Sequence, residues 1–186
     1  ADRAPVLSYC DRIAAELRAR TYDGKPVEVI VDRRDSNAGD RGWDWVKKGI
    51  PVRAEIGPRD IQKDGVFYAR RDMNEKASLP RQQFVETIEE TLDAMQRGLV
   101  ERARTFARAN TREVNTEKEF RDFFAASAGG FALAHWNGSP QVDERIKQEL
   151  AVTIRCVPLD YEKDGPGRCI CTGEPSRGRV VFARNY

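Results

Sequence analysis

Lys47, Lys48, Arg53, Arg59, Arg70, Arg71 and Lys76 crowd one short stretch of the chain, with Trp43 and Trp45 at its upstream end. Cations hold phosphates and flat aromatic groups stack on splayed bases, so this composition suits a single-stranded nucleic acid. From Trp45 to Lys76 the pattern reads as strand, tight turn, strand and turn. Pro51 to Ile56 alternates: Val52, Ala54 and Ile56 point inward, Arg53 and Glu55 toward water. A half-buried strand with a charged outer face is expected there. Taken singly, each basic residue is an ordinary solvated charge; their joint placement points to a ligand.

Other chemistries find little support. There is no phosphate-cradling glycine loop and no Gly-x-Ser-x-Gly elbow. The single histidine, His135, lies in the apolar run Phe131-Ala132-Leu133-Ala134-His135-Trp136, where a structural role is the ordinary one. It has no evident partner for nucleophilic catalysis. The acid pairs Glu89-Glu90 and Glu117-Glu119 fall on helical faces and read as solvated surface. No active site is expected in these residues.

The chain has 186 residues, enough for one large domain or two small ones. With 40% apolar and 33% charged residues it has a globular composition. Net charge is +2, so no global field draws it to RNA; a nucleic-acid footprint needs local segregation of its 32 basic residues. No apolar run approaches the roughly 20 residues of a membrane span. The first residues, Ala1 to Ser8, show no basic-then-apolar signal pattern. The widely spaced cysteines suit a reducing compartment, with the cytoplasm as the default.

The elements that must position the cations follow from periodicity. Val6, Cys10, Ile13, Ala14 and Leu17 recur at helical spacing, predicting a helix over about 4–20. Tyr22-Asp23-Gly24 ends it, and Val27 to Val31 reads as a buried strand. Asp35 to Gly39 reads as a loop, with Asp40 as N-cap of a short helix carrying Trp43 and Val46. Gly57-Pro58-Arg59-Asp60 reads as a turn, and Val66 to Arg70 as the next strand. Ser78 and Pro80 look like a helix start, followed by an apolar stripe from Phe84 to Phe106. That stripe predicts one long helix to about Asn110, with Gly98 as a place for a bend. Thr116-x-x-Glu119 is a capping box for a helix with Phe120, Phe123 and Phe124. A strand over 130–136, a helix near 140–150, a strand over 152–157 and a last strand over 179–184 complete the pattern. The expected class is α/β: a mixed sheet with flanking helices, a long linking helix, then a small α+β domain. The boundary is placed so that the domains span 1–110 and 111–186.

The cationic stretch resembles the anticodon-binding domain of prolyl-tRNA synthetases of the archaeal and eukaryotic type. The shared pattern is Trp-x-x-Lys-Gly-x-Pro-x-Arg-x-Glu-x-Gly-Pro-Arg-Asp, here Trp45 to Asp60, and then Arg-Arg-Asp-x-x-Glu-Lys, here Arg70 to Lys76. The tail, with Gly167-Arg168-Cys169-Ile170-Cys171-Thr172-Gly173 and the closing Arg179 to Tyr186, resembles the C-terminal zinc-binding domain of the same enzymes. The likeness spans essentially the whole chain. It implies a region of a class II ligase that attaches proline to its tRNA, tRNA(Pro), with ATP and Mg held by a catalytic domain that these residues do not match. It also implies a cut just inside the anticodon-binding domain, whose first strand has no counterpart here.

The resemblance also assigns residues. The family's anticodon contacts include an acid after the motif tryptophan, an arginine on the next strand and the closing lysine, which fall on Val46, Arg53 and Lys76. Valine cannot accept a hydrogen bond from guanine. Either Asp44 or Glu55 takes the role, or guanine reading is weakened. The anticodon-binding residues are thus expected to be Arg53, Lys76, Arg59, Trp45 and Glu55, with Arg59 equally explained as a structural partner of Asp60 or a loop carbonyl. The family's zinc ligands fall on Asn137, Val142, Cys169 and Thr172, with Cys171 one place out of register. One usable thiolate among four positions does not make a structural zinc site, so no metal is expected. Family members end in an aromatic residue that reaches the catalytic domain, which gives Tyr186 a docking role. A homodimer is implied for the full-length enzyme, and no membrane association. A free-standing RNA-binding paralogue, or a small metal or thiol protein using Cys156, Cys169 and Cys171, are the alternatives.

Overall fold

Helix α1 (Arg3–Arg18) buries Tyr9, Ile13, Ala14 and Leu17, the stripe that helical periodicity selects. The computed structural model describes residues 3–73, 75–126 and 129–185, and the chain divides into two units, Ala1–Arg102 and Ala103–Tyr186. After α1, strands β1 (Thr21–Tyr22) and β2 (Lys25–Pro26) form a two-residue hairpin. Asp23 and Gly24 both take positive φ there, as a turn matching strand twist requires.

Helix α2 (Ala38–Lys47) leads to β3 (Val52–Glu55), the short α3 (Pro58–Gln62), β4 (Gly65–Arg70) and β5 (Lys76–Pro80). Helices α4 (Arg81–Glu86) and α5 (Ile88–Ala109) follow, and the division between units falls inside α5. Strands β3, β4 and β5 make an antiparallel sheet in that order. Its inner face carries Val52, Val66, Tyr68 and Leu79 against Tyr9, Ile13, Leu17, Phe84 and Ile88. Tyr68 and Phe84 meet with ring centroids 5.1 Å apart. The Tyr9 hydroxyl donates to Asp64 Oδ1 at 3.0 Å and to the Gly65 carbonyl at 3.1 Å, tying α1 to the start of β4. Burial and the Asp64 carboxylate push the Tyr9 phenol up to about 12.

Several local expectations are corrected. Val27 to Val31 pairs with no strand among the described residues; Val27 and Val29 pack on the core while Ile30 is 64% exposed. Its burial alternates, so the run is one-sided. Asn37, not Asp40, caps α2, its side chain accepting the Gly39 N–H at 2.8 Å. Gly57 to Asp60 opens helix α3, because Pro58 sits at its first position and Asp60 accepts the Gly57 N–H. Residues 76–80 form β5 and the helix waits until Arg81; pairing with β4 overrides the Ser-Pro signal. The long helix is broken at Thr87, whose hydroxyl donates to the Gln83 carbonyl, while Gly98 lies inside α5. Ala54, expected inside, is exposed.

The second unit contains β6 (Thr111–Glu113), α6 (Glu117–Ala125), β7 (Phe131–His135), α7 (Pro140–Leu150) and β8 (Val152–Cys156). A 3-10 turn (Tyr161–Asp164), β9 (Gly167–Arg168), β10 (Pro175–Ser176) and β11 (Arg179–Arg184) follow. The four-stranded sheet runs β6-β7-β11-β8, with β6 parallel to β7 and the other pairs antiparallel. Phe120 and Phe124 of α6 and Val142 and Ile146 of α7 bury against Ala132, Ala134, Val152, Val180 and Phe182. The Thr116 hydroxyl accepts the Glu119 N–H, and Glu119 reaches back to the Asn115 N–H. Sequence reading missed β6: three polar residues carry no strand pattern, and pairing along β7 makes them one. The expected mixed α/β class holds.

Candidate nucleic-acid interface

The antiparallel register places the charged residues. Arg53 lies opposite Ala69, which lies opposite Lys76; Glu55 lies opposite Phe67, which lies opposite Ser78. These two rows share the outer face of the three-stranded sheet. Lys76 Nζ donates to Glu55 at 3.0 and 2.9 Å, and Arg53 Nε donates to Glu55 Oε1 at 3.3 Å. Lys76 also stands 5.3 Å from the centre of the Phe67 ring. Burial alone would push the Glu55 carboxyl up; the hydrogen bonds from Lys76 and Arg53 outweigh it and hold the group below its ordinary value. The result is an ionised carboxylate clamped by two cations, with both Glu55 and Lys76 side chains more than 40% exposed.

Helix α2 is fixed beside this face. Trp45 Nε1 donates to Asp32 Oδ2 at 2.7 Å. Arg34 makes a forked pair with Asp32 and reaches Asp44 Oδ2 at 2.8 Å. These bonds to Arg34 lower the Asp32 and Asp44 carboxyls. Lys48 Nζ lies 4.4 Å, and the Arg34 guanidinium 5.8 Å, from the Trp45 ring centre. Gly42 packs against Arg53: a Cβ there would lie 3.8 Å from its Nε. Asp32 and Arg34 were missed by sequence reading, because the run Asp32 to Asp35 looks like loop until the fold brings Trp45 to it.

The remaining cations divide by their partners. Arg70 is locked to Asp72 at 2.7 Å, with both side chains mostly buried, and Arg71 donates to the Gly49 carbonyl at 3.2 Å. Arg59 is exposed on α3 and has no hydrogen-bond or ion-pair partner among the described residues. Asp60 serves Gly57 instead. Val46 is exposed on α2. Tyr186 lies outside the described residues.

In the second unit, the positions that match the family's metal ligands hold other chemistry. Val142 is 7% exposed in the core. Asn137 Nδ2 and Thr172 Oγ1 both donate to Glu174 Oε2, at 2.5 and 3.3 Å. The Cys169 thiol is buried, which would raise its pKa; the Thr172 hydroxyl and the backbone N–H groups of Cys171, Thr172 and Asn137 point at it and lower it. Valine, asparagine and threonine beside one thiol do not fit a tetrahedral zinc site. Among the described residues no group of three His, Cys, Asp or Glu side chains is placed to hold a metal. His135 Nδ1 lies 3.2 Å from Ser176 Oγ, whose hydroxyl donates to the Gly178 carbonyl, so the imidazole is tied into the fold.

The first unit thus presents an open sheet face with a clamped carboxylate, and an α+β unit follows it in the chain. Comparison with known proteins shows what the chain is similar to. Residues 2–91 match the anticodon binding domain family, and residues 118–186 match the family described as prolyl-tRNA synthetase, C-terminal. The chain is 46% identical over 197 residues to proline–tRNA ligase 2 of Anaeromyxobacter dehalogenans, covering 99% of this chain and 38% of that protein. It is 40% identical over 188 residues to proline–tRNA ligase of Akkermansia muciniphila, covering 99% of this chain and 37% of that one. Among solved structures, prolyl-tRNA synthetase of Cryptosporidium parvum, in complex with L-proline and AMP, superposes with a TM-score of 0.75 at 26% identity. That superposition covers 97% of this chain and 37% of the other. These residues are the anticodon-binding and C-terminal region of a prolyl-tRNA synthetase. They span well under half the length of the relatives they match.

Proposed function

We propose that this region binds the anticodon stem-loop of the proline tRNA, within an enzyme that attaches proline to that tRNA using ATP. The observation that carries the reading is the Arg53–Glu55–Lys76 cluster on the open sheet face. A carboxylate beside two cations complements the Watson–Crick edge of guanine: the carboxylate accepts from its N–H donors, and a cation donates to its O6 carbonyl oxygen. Val46 offers no acceptor, so Glu55 takes the guanine. Arg53 and Lys76 flank it, Arg59 holds phosphate, and Trp45 supports the face from α2.

The anticodon-binding domain with its linking helix is assigned to 1–110, and a C-terminal domain of the zinc type, with its ligands mostly lost, to 111–186. The likeness to the Cryptosporidium enzyme supports the archaeal and eukaryotic architecture, although the sequence relatives named above are bacterial. The catalytic domain, holding ATP and Mg, is the partner within the enzyme, with Tyr186 docking on it. The working enzyme is a cytoplasmic homodimer. No helix among the described residues is long and apolar enough to cross a membrane. By itself the region supports no proline-dependent pyrophosphate exchange.

Titration with a stem-loop RNA carrying a proline anticodon tests the reading. Arg53→Ala or Lys76→Ala should each cost about 1–3 kcal/mol of binding, and affinity should fall steeply with salt as phosphate contacts release counterions. An affinity indifferent to both substitutions removes its basis.

A further inference from the structure

Trp43 is 66% exposed on α2, and Val46, one helical turn on, is 45% exposed. The helix that carries them is held on its other sides. Asn37 caps its start, Arg34 ties down Asp44, Asp32 holds the Trp45 indole N–H, and Gly42 packs on the Arg53 guanidinium. Trp45 has Lys48 and Arg34 over its ring and its N–H committed, so it is a positioning residue whose ring carries cations already. Its neighbour Trp43 has neither a hydrogen-bond nor a ring partner among the described residues. A large indole left in water on an anchored helix, next to Gly42, where a Cβ would lie 3.8 Å from Arg53 Nε, is placed to meet what Arg53 binds. Lys47, one turn on along the same helix, and Lys48 just after it supply cations there, against Asp40 one turn back. That combination fits a polyanion with flat groups, and an apolar protein surface would have to strand those ammonium groups without water.

We infer that Trp43 is the stacking platform of the interface: a base splayed from a single-stranded RNA loop lies on its indole while the Arg53–Glu55–Lys76 cluster holds the adjoining nucleotide. This rests on the anticodon-binding reading, and it assigns to Trp43 the contact that the motif tryptophan, Trp45, is not free to make. Stacking releases no counterions, whereas a cation on phosphate does. The two kinds of contact are therefore separable by salt.

The test compares wild type, Trp43→Leu, Trp43→Phe and Arg53→Ala as the full 186-residue chain. Each is titrated over a range of salt with a proline-anticodon stem-loop RNA and with the same RNA base-paired through its loop. Trp43→Leu should weaken loop binding about tenfold or more without changing the salt slope or the melting temperature. Trp43→Phe should keep most of the affinity while losing the fluorescence quenching that RNA causes in wild type. Arg53→Ala should lower both affinity and slope. Unchanged affinity in Trp43→Leu alongside a weakened Arg53→Ala overturns the stacking role and leaves the anticodon reading intact. Absence of loop-dependent binding by wild type overturns both. Unchanged RNA affinity with an altered sedimentation coefficient in Trp43→Leu makes the face a protein interface, which also sinks the proposal.

Discussion

Lys76 and Glu55, 21 residues apart in the chain, meet across the sheet with the ammonium 3.0 and 2.9 Å from the two carboxylate oxygens. The pairing comes from two registers, β3 on β4 and β4 on β5, that bring the ends of the outer strands to one face. It lies in the open, where ion pairs stabilise by no more than about 1 kcal/mol. The pair therefore contributes little to the fold, which leaves both groups available for the proposed RNA contact.

Glu55→Gln separates those roles. The melting temperature should stay within a few degrees of wild type, since an exposed pair contributes about 1 kcal/mol or less. RNA binding should instead lose its preference for guanine over inosine or adenine in the anticodon, read by titrating matched stem-loops. A large fall in melting temperature with unchanged base preference would show Glu55 to be structural.

Asp32 is the strut of α2, and Asp32→Ala should destabilise the chain by about 1–3 kcal/mol because the Trp45 indole N–H loses its acceptor. The pH dependence has a definite sign. Arg34 holds the folded-state Asp32 carboxyl below its free-chain value. Its contribution is therefore complete above about pH 4, the free carboxylate range, and is lost as pH falls through the depressed value. Thermal melts from pH 7 to pH 2 should show a shallower acid limb in Asp32→Ala than in wild type; parallel curves would count against this linkage.

Glu174 joins Asn137 to Thr172 where zinc-containing relatives are expected to place a metal. Purified protein should carry no stoichiometric zinc by elemental analysis, and chelators should leave its melting temperature unchanged. Glu174→Ala should lower stability by about 0.5–1.5 kcal/mol, as exposed hydrogen bonds are lost. About one zinc per chain, with unfolding on chelation, would overturn the ligand assignment.

Gly178 has no room for a side chain: a Cβ there would fall 2.0 Å from the Tyr161 carbonyl oxygen, and a backbone group cannot swing aside as a long side chain can. Gly178→Ala should cost about 3 kcal/mol or more, chiefly in the second unit, where β11 begins at the next residue. Hydrogen exchange resolved by residue would locate the loss. Gly173, with positive φ and open space, is a control in which alanine costs about 1 kcal/mol from backbone strain alone.

Local patterns in the chain were enough to determine α1, α7, β11 and the capping box at Thr116, because each depends on residues within a turn or two of one another. The alternation around Arg53 and Glu55 pointed to one charged face, and the β3–β4 register does put both residues on one face, but Ala54, read as inward, is exposed too. Long-range pairing decided the rest. Whether 76–80 starts a helix or closes a sheet depends on β4, and whether Val27 to Val31 is a strand depends on a neighbour for its backbone. Most of all, Trp43 and Trp45 are two apart on one helix and locally equivalent, yet one is clasped by Asp32, Arg34 and Lys48 while the other faces water. Residue type makes an indole available for stacking; only the tertiary structure settles which indole has a free face, because the groups that cover it come from elsewhere in the chain.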